Sequence, residues 1–471
     1  MNQMVQGRLL QNLSIVAIFY IVAAITVPVL AQTPPEPQLA ELLNGLRVLI
    51  WPRQGEQTVL LKLRIHSGAA FDLAGRSGEM ALLGDALFPD PATREYFEEM
   101  QGRLAVTTDY DSLTITMEGK AAEFERIVEI LRNAVVSPQL TVDNVTRVRE
   151  GRLGVVRGQS ISPAVLADRA IASRLFGDFP YGQSYIGSVE SLGRVDRADL
   201  LLARERFLNP NNSTLAILGG VQPNRVVRVT RQLLGIWRKS EKIVPTTFRL
   251  PQPPAARTLL INTPADDSAE VRLAVRGFAR SDRDTAAAQL LAAIAQRRWE
   301  KLVPALTRNP VYVRHETHVL PGMFVMGAAV NNSLASTTVK AARDVLQSLV
   351  AKPVDAAELD TARTEALAAL GKNLATPEGL ATAWLEIDTY KLPSIGQQRQ
   401  ALSNVLPLDL QRAAARLFRD AIVASVVIGN SELLKAELAR NLDLEVIGEV
   451  GTKTETPSPK SEPQSPVIKP D

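Results

Sequence analysis

An internal repeat at a nearly constant offset limits how this chain of 471 residues can fold. The segment STLAILGG at 213–220 is answered 210 positions later by ASVVIGN at 424–430. Further matches pair Arg149, Leu153, Pro163, Asp199, Leu200, Ala203 and Arg206 with Arg363, Leu367, Pro377, Asp409, Leu410, Ala413 and Arg416. Ser137-Pro138 is also matched by Lys352-Pro353. Self-similarity at a fixed offset is the signature of repeated units, so the sequence predicts a tandem duplication of one domain.

The pattern of elements in the first half predicts an α+β domain. Residues 58–68 alternate apolar and polar side chains as a strand does, and residues 104–119 are typical of a hairpin. Residues 77–88 indicate a short apolar helix, and residues 121–136 indicate an amphipathic helix. We therefore expect an antiparallel sheet with helices in each half, and two halves that face each other like a clamshell.

The ends of the chain and the join between the halves differ from the rest in composition. Residues 13–31 form an apolar run that ends at small residues, which predicts a signal peptide over 1–31 with cleavage after Ala31. The alternative is a retained N-terminal membrane anchor. The expected borders are 32–236 for the N-terminal domain, 237–256 for a linker, 257–450 for the C-terminal domain and 451–471 for a disordered proline-rich tail. The protein is expected to be exported, to a periplasmic or extracellular location.

Composition excludes several kinds of site. The chain has no cysteine, which removes thiolate zinc sites, iron–sulfur clusters and cysteine nucleophiles. Its 53 Lys and Arg residues nearly balance its 50 Asp and Glu residues, and they form no basic block. Nucleic acid is not an expected partner, because a surface that tracks phosphates needs clustered cations.

Four segments resemble, in order and spacing, the pitrilysin-like zinc peptidases, the inverzincin family that includes mitochondrial processing peptidase. They are LNGLRVLIWP, SGAAFDLAGRSG, FPYGQSYIGSVESLGRVDRADL and FLNPNNSTLAILGGV, and the most specific stretch is PYGxxxxGxxESL at 180–192. The resemblance covers roughly residues 40–430. It implies two domains of the pitrilysin and processing-peptidase type, the first built to carry zinc and the second to carry substrate-binding residues.

The zinc motif of that family is missing where the resemblance places it. Active members carry H-x-x-E-H on a helix and a further glutamate ligand later in the chain. Laid against this pattern, the two histidine positions are Ala81 and Asp85, the glutamate base is Gly84 and the distal glutamate is Val155. An asparagine that follows the helix in the family is replaced by Ala105. The resemblance thus implies no catalytic residue, metal or cofactor in this chain alone, with zinc expected in a partner subunit.

The three histidines of the chain are not expected to rebuild a metal site. His66 lies on the Lys62 and Arg64 side of an alternating strand, so we expect it on a solvated face. His315 and His318 form HETH, but a step of three residues along a strand points side chains to opposite faces. HETH also lacks the spacing of the helical zinc motifs.

The resemblance implies that substrate-binding residues are retained in the second half. The active family carries an Arg and a Tyr four residues apart in its second domain, and ALTRNPVYVRHE supplies Arg308 and Tyr312 at that spacing. A guanidinium and a phenol can both donate hydrogen bonds to peptide carbonyls. The resemblance therefore implies the non-catalytic, substrate-binding subunit of an exported heterodimeric zinc endopeptidase. Its partners would be a pitrilysin-like subunit with H-x-x-E-H and peptide substrates.

Two other functions remain open from the sequence. One is a binding or structural protein on the same fold with no peptidase role, as the family's core subunits are in a respiratory complex. The other is a self-sufficient peptidase with an unorthodox metal site, which requires stoichiometric zinc in the purified chain.

Overall fold

The computed structural model describes residues 35–160, 162–241, 251–263, 267–303 and 311–448. The strands are β1 Gln38–Glu41, β2 Arg47–Pro52, β3 Thr58–Ile65, β4 Arg103–Thr108, β5 Leu113–Lys120, β6 Ser213–Gly219, β7 Thr258–Asn262, β8 Ser268–Arg276, β9 Tyr312–Glu316, β10 Met323–Asn331, β11 Ala424–Gly429 and β12 Leu444–Ile447. The helices are α1 Glu79–Ala86, α2 Pro91–Glu99, α3 Phe124–Val136, α4 Val142–Ser160, α5 Pro163–Phe176, α6 Val189–Arg194, α7 Arg197–Phe207, α8 Pro223–Leu234, α9 Thr285–Leu302, α10 Ala335–Ala351, α11 Ala356–Leu374, α12 Pro377–Tyr390, α13 Ile395–Ser403, α14 Pro407–Phe418 and α15 Ser431–Leu438.

The elements expected in the first half form where the pattern places them, and local hydrogen bonds explain two of their borders. The β4–β5 hairpin turns at Asp109, whose carboxylate accepts hydrogen bonds from the backbone N–H groups of Asp111 and Ser112 at 2.8 and 2.7 Å. At the start of α1, the Asp72 carboxylate accepts from the N–H groups of Gly78 and Met80. Such bonds satisfy donors that a turn or a helix start leaves free.

The duplication predicted from the repeat is confirmed by two six-stranded sheets with matching strand orders. Sheet A runs β1-β2-β6-β3-β5-β4, and sheet B runs β12-β7-β11-β8-β10-β9. The sheets are mixed rather than wholly antiparallel, because β2 pairs with β6, β7 with β11 and β12 with β7 in parallel. Parallel neighbours need a long crossover, which the helices between the first and last strands of each half supply.

One helix of each half packs on the sheet of the other half, and we call these two helices, α5 and α12, the lent helices. Helix α5 packs on β8 and β11 of sheet B, and α12 packs on β3 and β6 of sheet A. Ile171 of α5 and Leu385 of α12 are both fully buried in these contacts. The apolar clusters that join the halves therefore include residues of both, so the two halves are interlocked through buried apolar surface.

The expectation that His66 lies on a solvated face is wrong. Lys62 and Arg64 are buried, and His66 is mostly buried, since α12 covers this face of β3. The His66 ring nitrogens lie 3.0 Å from the hydroxyl oxygens of Thr389 and Thr214. Burial lowers the pKa of His66 to about 4. Alternation alone cannot reveal a helix that arrives from the other half of the chain.

Trp237, which opens the expected linker, lies in the core of the first half, and its indole N–H donates to the Leu208 carbonyl at 3.1 Å. The leader at 1–31, the tail at 451–471 and linker residues 242–250 lie outside the described residues. Within the described ranges, no helix combines the length and apolar character needed to cross a membrane.

Candidate functional site

A cavity of 530 Å³ lies between the two halves, at the edge strand of sheet B. Helix α5 and the loop at 181–186 line it from the first half, and β9 lines it from the second. Tyr312, the first residue of β9, lies on its wall. Arg308, the other residue expected to bind substrate, lies outside the described residues.

The Tyr312 side chain is held in a defined position across sheet B. Its hydroxyl donates a hydrogen bond to the Asp168 carboxylate at 3.0 Å, which joins β9 to α5. Its ring lies over Gly327 on the neighbouring β10, where an added Cβ atom would stand 2.2 Å from the ring. The Arg314 guanidinium stacks over the ring at 4.4 Å from its centroid. Burial raises the pKa of Tyr312, so its hydroxyl is protonated and able to donate.

Arg272 holds the Asp168 carboxylate in place from strand β8. It lies on β8 with only 2% of its surface exposed, and its Nε donates to Asp168 at 2.6 Å. Its Nη1 donates to Glu270 at 2.8 Å, so one buried guanidinium is balanced by two carboxylates. Asp168 and Arg272 were not singled out from the sequence. The available signal was the pair Glu270 and Arg272 inside the otherwise apolar strand SAEVRLAVR, where charge predicts a buried ion pair.

The end of the cavity beyond β9 is rich in aromatic rings. Tyr110, Tyr181 and His318 have ring centroids within 4.5 to 5.2 Å of one another. Asp111 ties this group together, because Tyr181 donates its hydroxyl to one carboxylate oxygen at 3.2 Å and His318 Nδ1 lies 3.1 Å from the other. His315 lies on the other side of sheet B, against Phe278 and Phe324 rather than in the cavity.

The positions expected to carry the remnants of a zinc site hold packing and an ion pair. Ala81 and Gly84 are buried in α1, and an added Cβ at Gly84 would stand 3.0 Å from Val106. Asp85 accepts a hydrogen bond from Arg152 Nε on α4 at 2.6 Å. Val155 lies on the same helix with 53% of its surface exposed.

These residues do not fit a catalytic zinc ion, which takes three protein ligands and one open position. Asp85 is the single possible ligand among the four positions, and it is engaged by a guanidinium. Ala105 lies on β4, the edge strand of sheet A. Among the described residues, no group of three or more His, Asp or Glu side chains is arranged to hold a metal ion.

Comparison with known proteins finds similarity to zinc peptidases. Residues 194–366 match the family model described as the Peptidase M16 inactive domain. An uncharacterized zinc protease of Mycobacterium leprae is 25% identical over 199 residues, which is 41% of this chain and 44% of that protein. Cytochrome b-c1 complex subunit 1 from human mitochondria is 24% identical over 223 residues, 46% of this chain and 46% of that protein. The matches thus span less than half the length of these curated relatives.

A solved structure supports the fold over a longer range. The crystal structure of a protease from Helicobacter pylori superposes with a TM-score of 0.78 at 18% identity, covering 84% of this chain and 100% of that one. The fold is thus a duplicated α+β arrangement, and its residues 194–366 are similar to the domain described as inactive in the M16 peptidases. Residues 194–366 thus match a domain of the M16 peptidases, the pitrilysin-like family that the motifs resemble, and the fold over 84% of the chain is that of the Helicobacter pylori protease.

Proposed function

We propose that this protein is the non-catalytic, substrate-binding subunit of an exported zinc endopeptidase formed by two pitrilysin-like chains. One contrast carries the proposal. The four zinc-site positions of the first half hold Ala81, Gly84, an ion-paired Asp85 and an exposed Val155. In the second half Tyr312 remains at a cavity between the halves with its hydroxyl oriented by Asp168. The partner would supply the zinc ion and the general base.

Peptide binding by strand addition suits two of the sheet edges of the described structure. β4 ends sheet A and β9 ends sheet B, and each pairs with a neighbour on one side. An extended peptide that adds to such an edge gains main-chain hydrogen bonds from any sequence, while side-chain pockets give selectivity. Arg308 would then donate to the peptide backbone near the partner's zinc ion. The Tyr312 hydroxyl would do the same after turning away from Asp168, which Arg272 still holds, and the two donors would orient and polarise the scissile carbonyl.

The test is a reconstitution with a quenched fluorescent peptide library. This chain, a zinc-motif relative from the same genome and their mixture are assayed separately, and we expect cleavage in the mixture alone. Arg308→Ala combined with Tyr312→Phe should then reduce kcat/KM about 100-fold, since removing one preorganised donor in such a site costs about 10²-fold or more. Arg225→Ala, which removes a surface guanidinium that pairs with Glu125 on the helical side, is the matched control.

Unchanged cleavage by the mixture carrying Arg308→Ala and Tyr312→Phe would contradict the proposal. Zinc bound stoichiometrically by this chain, with cleavage in the absence of any partner, would contradict it more directly.

The second candidate is a binding or structural protein with no part in proteolysis. The likeness to cytochrome b-c1 complex subunit 1, a protein named for its place in an assembly, favours it. In this case the clamshell serves as an interaction surface, and the chain co-purifies with partners that lack H-x-x-E-H. Co-purification from the native source, followed by a search of the captured chains for that motif, separates the two functions.

A further inference from the structure

The cavity between the halves is divided in charge. Its lining includes Arg169 and Arg314, of which Arg314 stacks on Tyr312, and Asp168 beside Tyr312 is already neutralised by Arg272. Past this region, the lining consists of Tyr110, Tyr181, Tyr185, Glu316 and His318, which we call the aromatic end. Its volume of 530 Å³ lies within the range of about 300–1,000 Å³ that is usual for ligand sites.

Glu316 is the carboxylate of the aromatic end to which no hydrogen bond is made within the described part of the chain. It follows Tyr312 and Arg314 at alternate positions of β9, so the strand points all three to the same face. Among the described residues, no hydrogen bond or ion pair is made to its side chain, although it is mostly buried. Burial accordingly raises its pKa. Arg314 and His318 lie near enough to oppose this rise, but neither forms an ion pair with Glu316. A partly buried carboxylate with no direct ion pair is complementary to a cation or a strong donor.

The other acidic groups nearby are already engaged. Both oxygens of Asp111 are taken by Tyr181 and His318. Asp109 accepts from the backbone of Asp111 and Ser112 and from the Ser112 hydroxyl. A ligand that enters the aromatic end therefore meets one carboxylate that is not already hydrogen-bonded. The nearby Arg314 guanidinium stacks on Tyr312 and forms no ion pair with that carboxylate.

The aromatic rings beside Glu316 favour the binding of a cation. Tyr110 and Tyr185 meet edge to face at 5.5 Å, and the charge of Glu316 is near enough to raise the pKa of Tyr110 further. Tyr185 is 43% exposed, so an apolar ring stands in contact with solvent at the lining of the cavity. Aromatic faces attract cations, and a planar guanidinium can stack on a ring while its N–H groups fork onto a carboxylate.

We infer that the aromatic end binds a basic side chain of a peptide, arginine in preference to lysine, with Glu316 as its counter-ion and Tyr110 and Tyr185 as its walls. The inference rests on the proposed peptide-binding function and names the class of peptide. It makes Glu316 a residue that determines specificity, separate from Tyr312, which would contact the peptide backbone. Peptides with a basic residue in an extended segment are the ligands that this chain should retain.

The experiment measures direct binding to the purified full-length chain, with no partner and no cleavage. Three fluorescent peptides of alanine and leucine differ at one central position, which carries arginine, its neutral isostere citrulline, or glutamate. By fluorescence anisotropy we expect the citrulline peptide to bind about tenfold more weakly than the arginine peptide. Hydrogen bonds between charged groups are stronger than neutral ones, and the difference in free energy corresponds to about tenfold in Kd. The glutamate peptide should bind more weakly still.

Glu316→Gln should remove the difference between the arginine and citrulline peptides and leave citrulline binding nearly unchanged. Glu129→Gln, on an exposed helix surface and paired with Arg126, should leave the difference intact. Matching circular dichroism and melting temperatures would show that both variants fold. Peptides that bind without regard to the central residue, or a preference that survives Glu316→Gln, would overturn this inference alone. A failure of all three peptides to bind would count against peptide binding by this chain as well.

Discussion

The two halves of the molecule keep the same central strands and differ at the strands that end the sheets. Lys62 on β3 lies opposite Ala216 on β6, and Arg272 on β8 lies opposite Val426 on β11. Ala216 and Val426 are 210 positions apart, so both sheets carry a buried cation at the same place. Each cation bonds to the helix lent by the other half. Lys62 donates to Glu378 and Thr382 on α12, as Arg272 donates to Asp168 on α5.

Following the strand pairing from these two cations across the next two strands shows where the halves differ. The chain of facing residues is Lys62, Thr116 and Ala105 in sheet A and Arg272, Gly327 and Tyr312 in sheet B. Ala105 and Tyr312 are therefore equivalent positions. Ala105 on β4 is too short to extend over the neighbouring strand. Tyr312 on β9 lies across Gly327 of the neighbouring strand β10. The duplicated framework that clamps the halves together has been kept, and the chemistry has diverged at the edges.

The largest effect on this comparison is expected from the lent helices. Ile171 and Leu385 occupy equivalent, fully buried positions 214 residues apart. Ile171→Ala and Leu385→Ala should each lower the free energy of unfolding by about 2–5 kcal/mol, the usual cost of such truncations in a core. Urea denaturation followed by circular dichroism measures both. Leu408→Ala, at a side chain that is 70% exposed, is the control and should cost less than about 0.5 kcal/mol.

Because each half completes the other's core, both truncations should shift one common transition. Two separate transitions, each shifted by only one of the variants, would contradict the interlocked arrangement.

The two equivalent cations should respond unequally to the same substitution. Arg272→Met leaves Glu270 and Asp168 without their shared partner and should cost about 3 kcal/mol, as removal of one member of a buried ion pair does. Lys62→Met should cost less than about 1 kcal/mol, because Glu378 remains paired with Arg103 and the buried ammonium is no longer desolvated. Urea midpoints at constant slope give both values. Equal losses would show that the two clamps are energetically alike.

The sequence predicted the duplication, the α+β class and the likeness to M16 peptidases well, because these depend on the period of apolar residues and on motifs that are local in the chain. The repeat even aligned Pro163 with Pro377, the first residues of the two lent helices. Periodicity could not show which sheet each helix covers. For this reason Lys62 and His66 were expected in solvent, although α12 buries them.

The candidate site was predicted only in part for the same reason. Tyr312 was found from its spacing to Arg308, which is a local pattern. Asp168, which orients its hydroxyl, is 144 positions away, and Arg272 and Gly327 reach the site through sheet register. Contacts between distant segments leave no local signal in a single sequence. The parallel pairs of β2 with β6 and of β7 with β11 escaped prediction on the same ground.

A smaller effect is expected from His66, whose protonation makes the free energy of unfolding depend on pH. Its pKa is about 4 in the folded protein and about 6.5 when unfolded, so the unfolded chain binds more protons between these values. Stability should therefore fall as the pH is lowered from 6.5 toward 4, by about 1–2 kcal/mol between pH 7 and pH 5. Asp388 opposes this shift in pKa, and Lys391, Arg64 and Arg47 favour it.

Burial also lowers the pKa of His315 to about 4, so the second half contributes a slope of the same sign. The contribution of His66 is the difference between the wild-type protein and His66→Gln in urea midpoints measured across this pH range. A variant with the same pH dependence as the wild type would assign the whole effect to His315 and other groups.

The smallest effect on stability is expected from Tyr312→Phe, and it is the change that best separates structure from function. The variant loses one hydrogen bond to Asp168, a carboxylate that stays paired with Arg272, so the cost should be about 1 kcal/mol or less. Tyr96→Phe removes a similar hydroxyl-to-carboxylate bond to Glu123 on the outer surface and should cost about the same. In the peptide-binding assay only Tyr312→Phe of these two variants should weaken affinity, since Tyr312 lines the cavity and Tyr96 does not. If both variants bound peptide as the wild type does, Tyr312 would be a support for Asp168 and α5, and the divergence of the two edge strands would need another explanation.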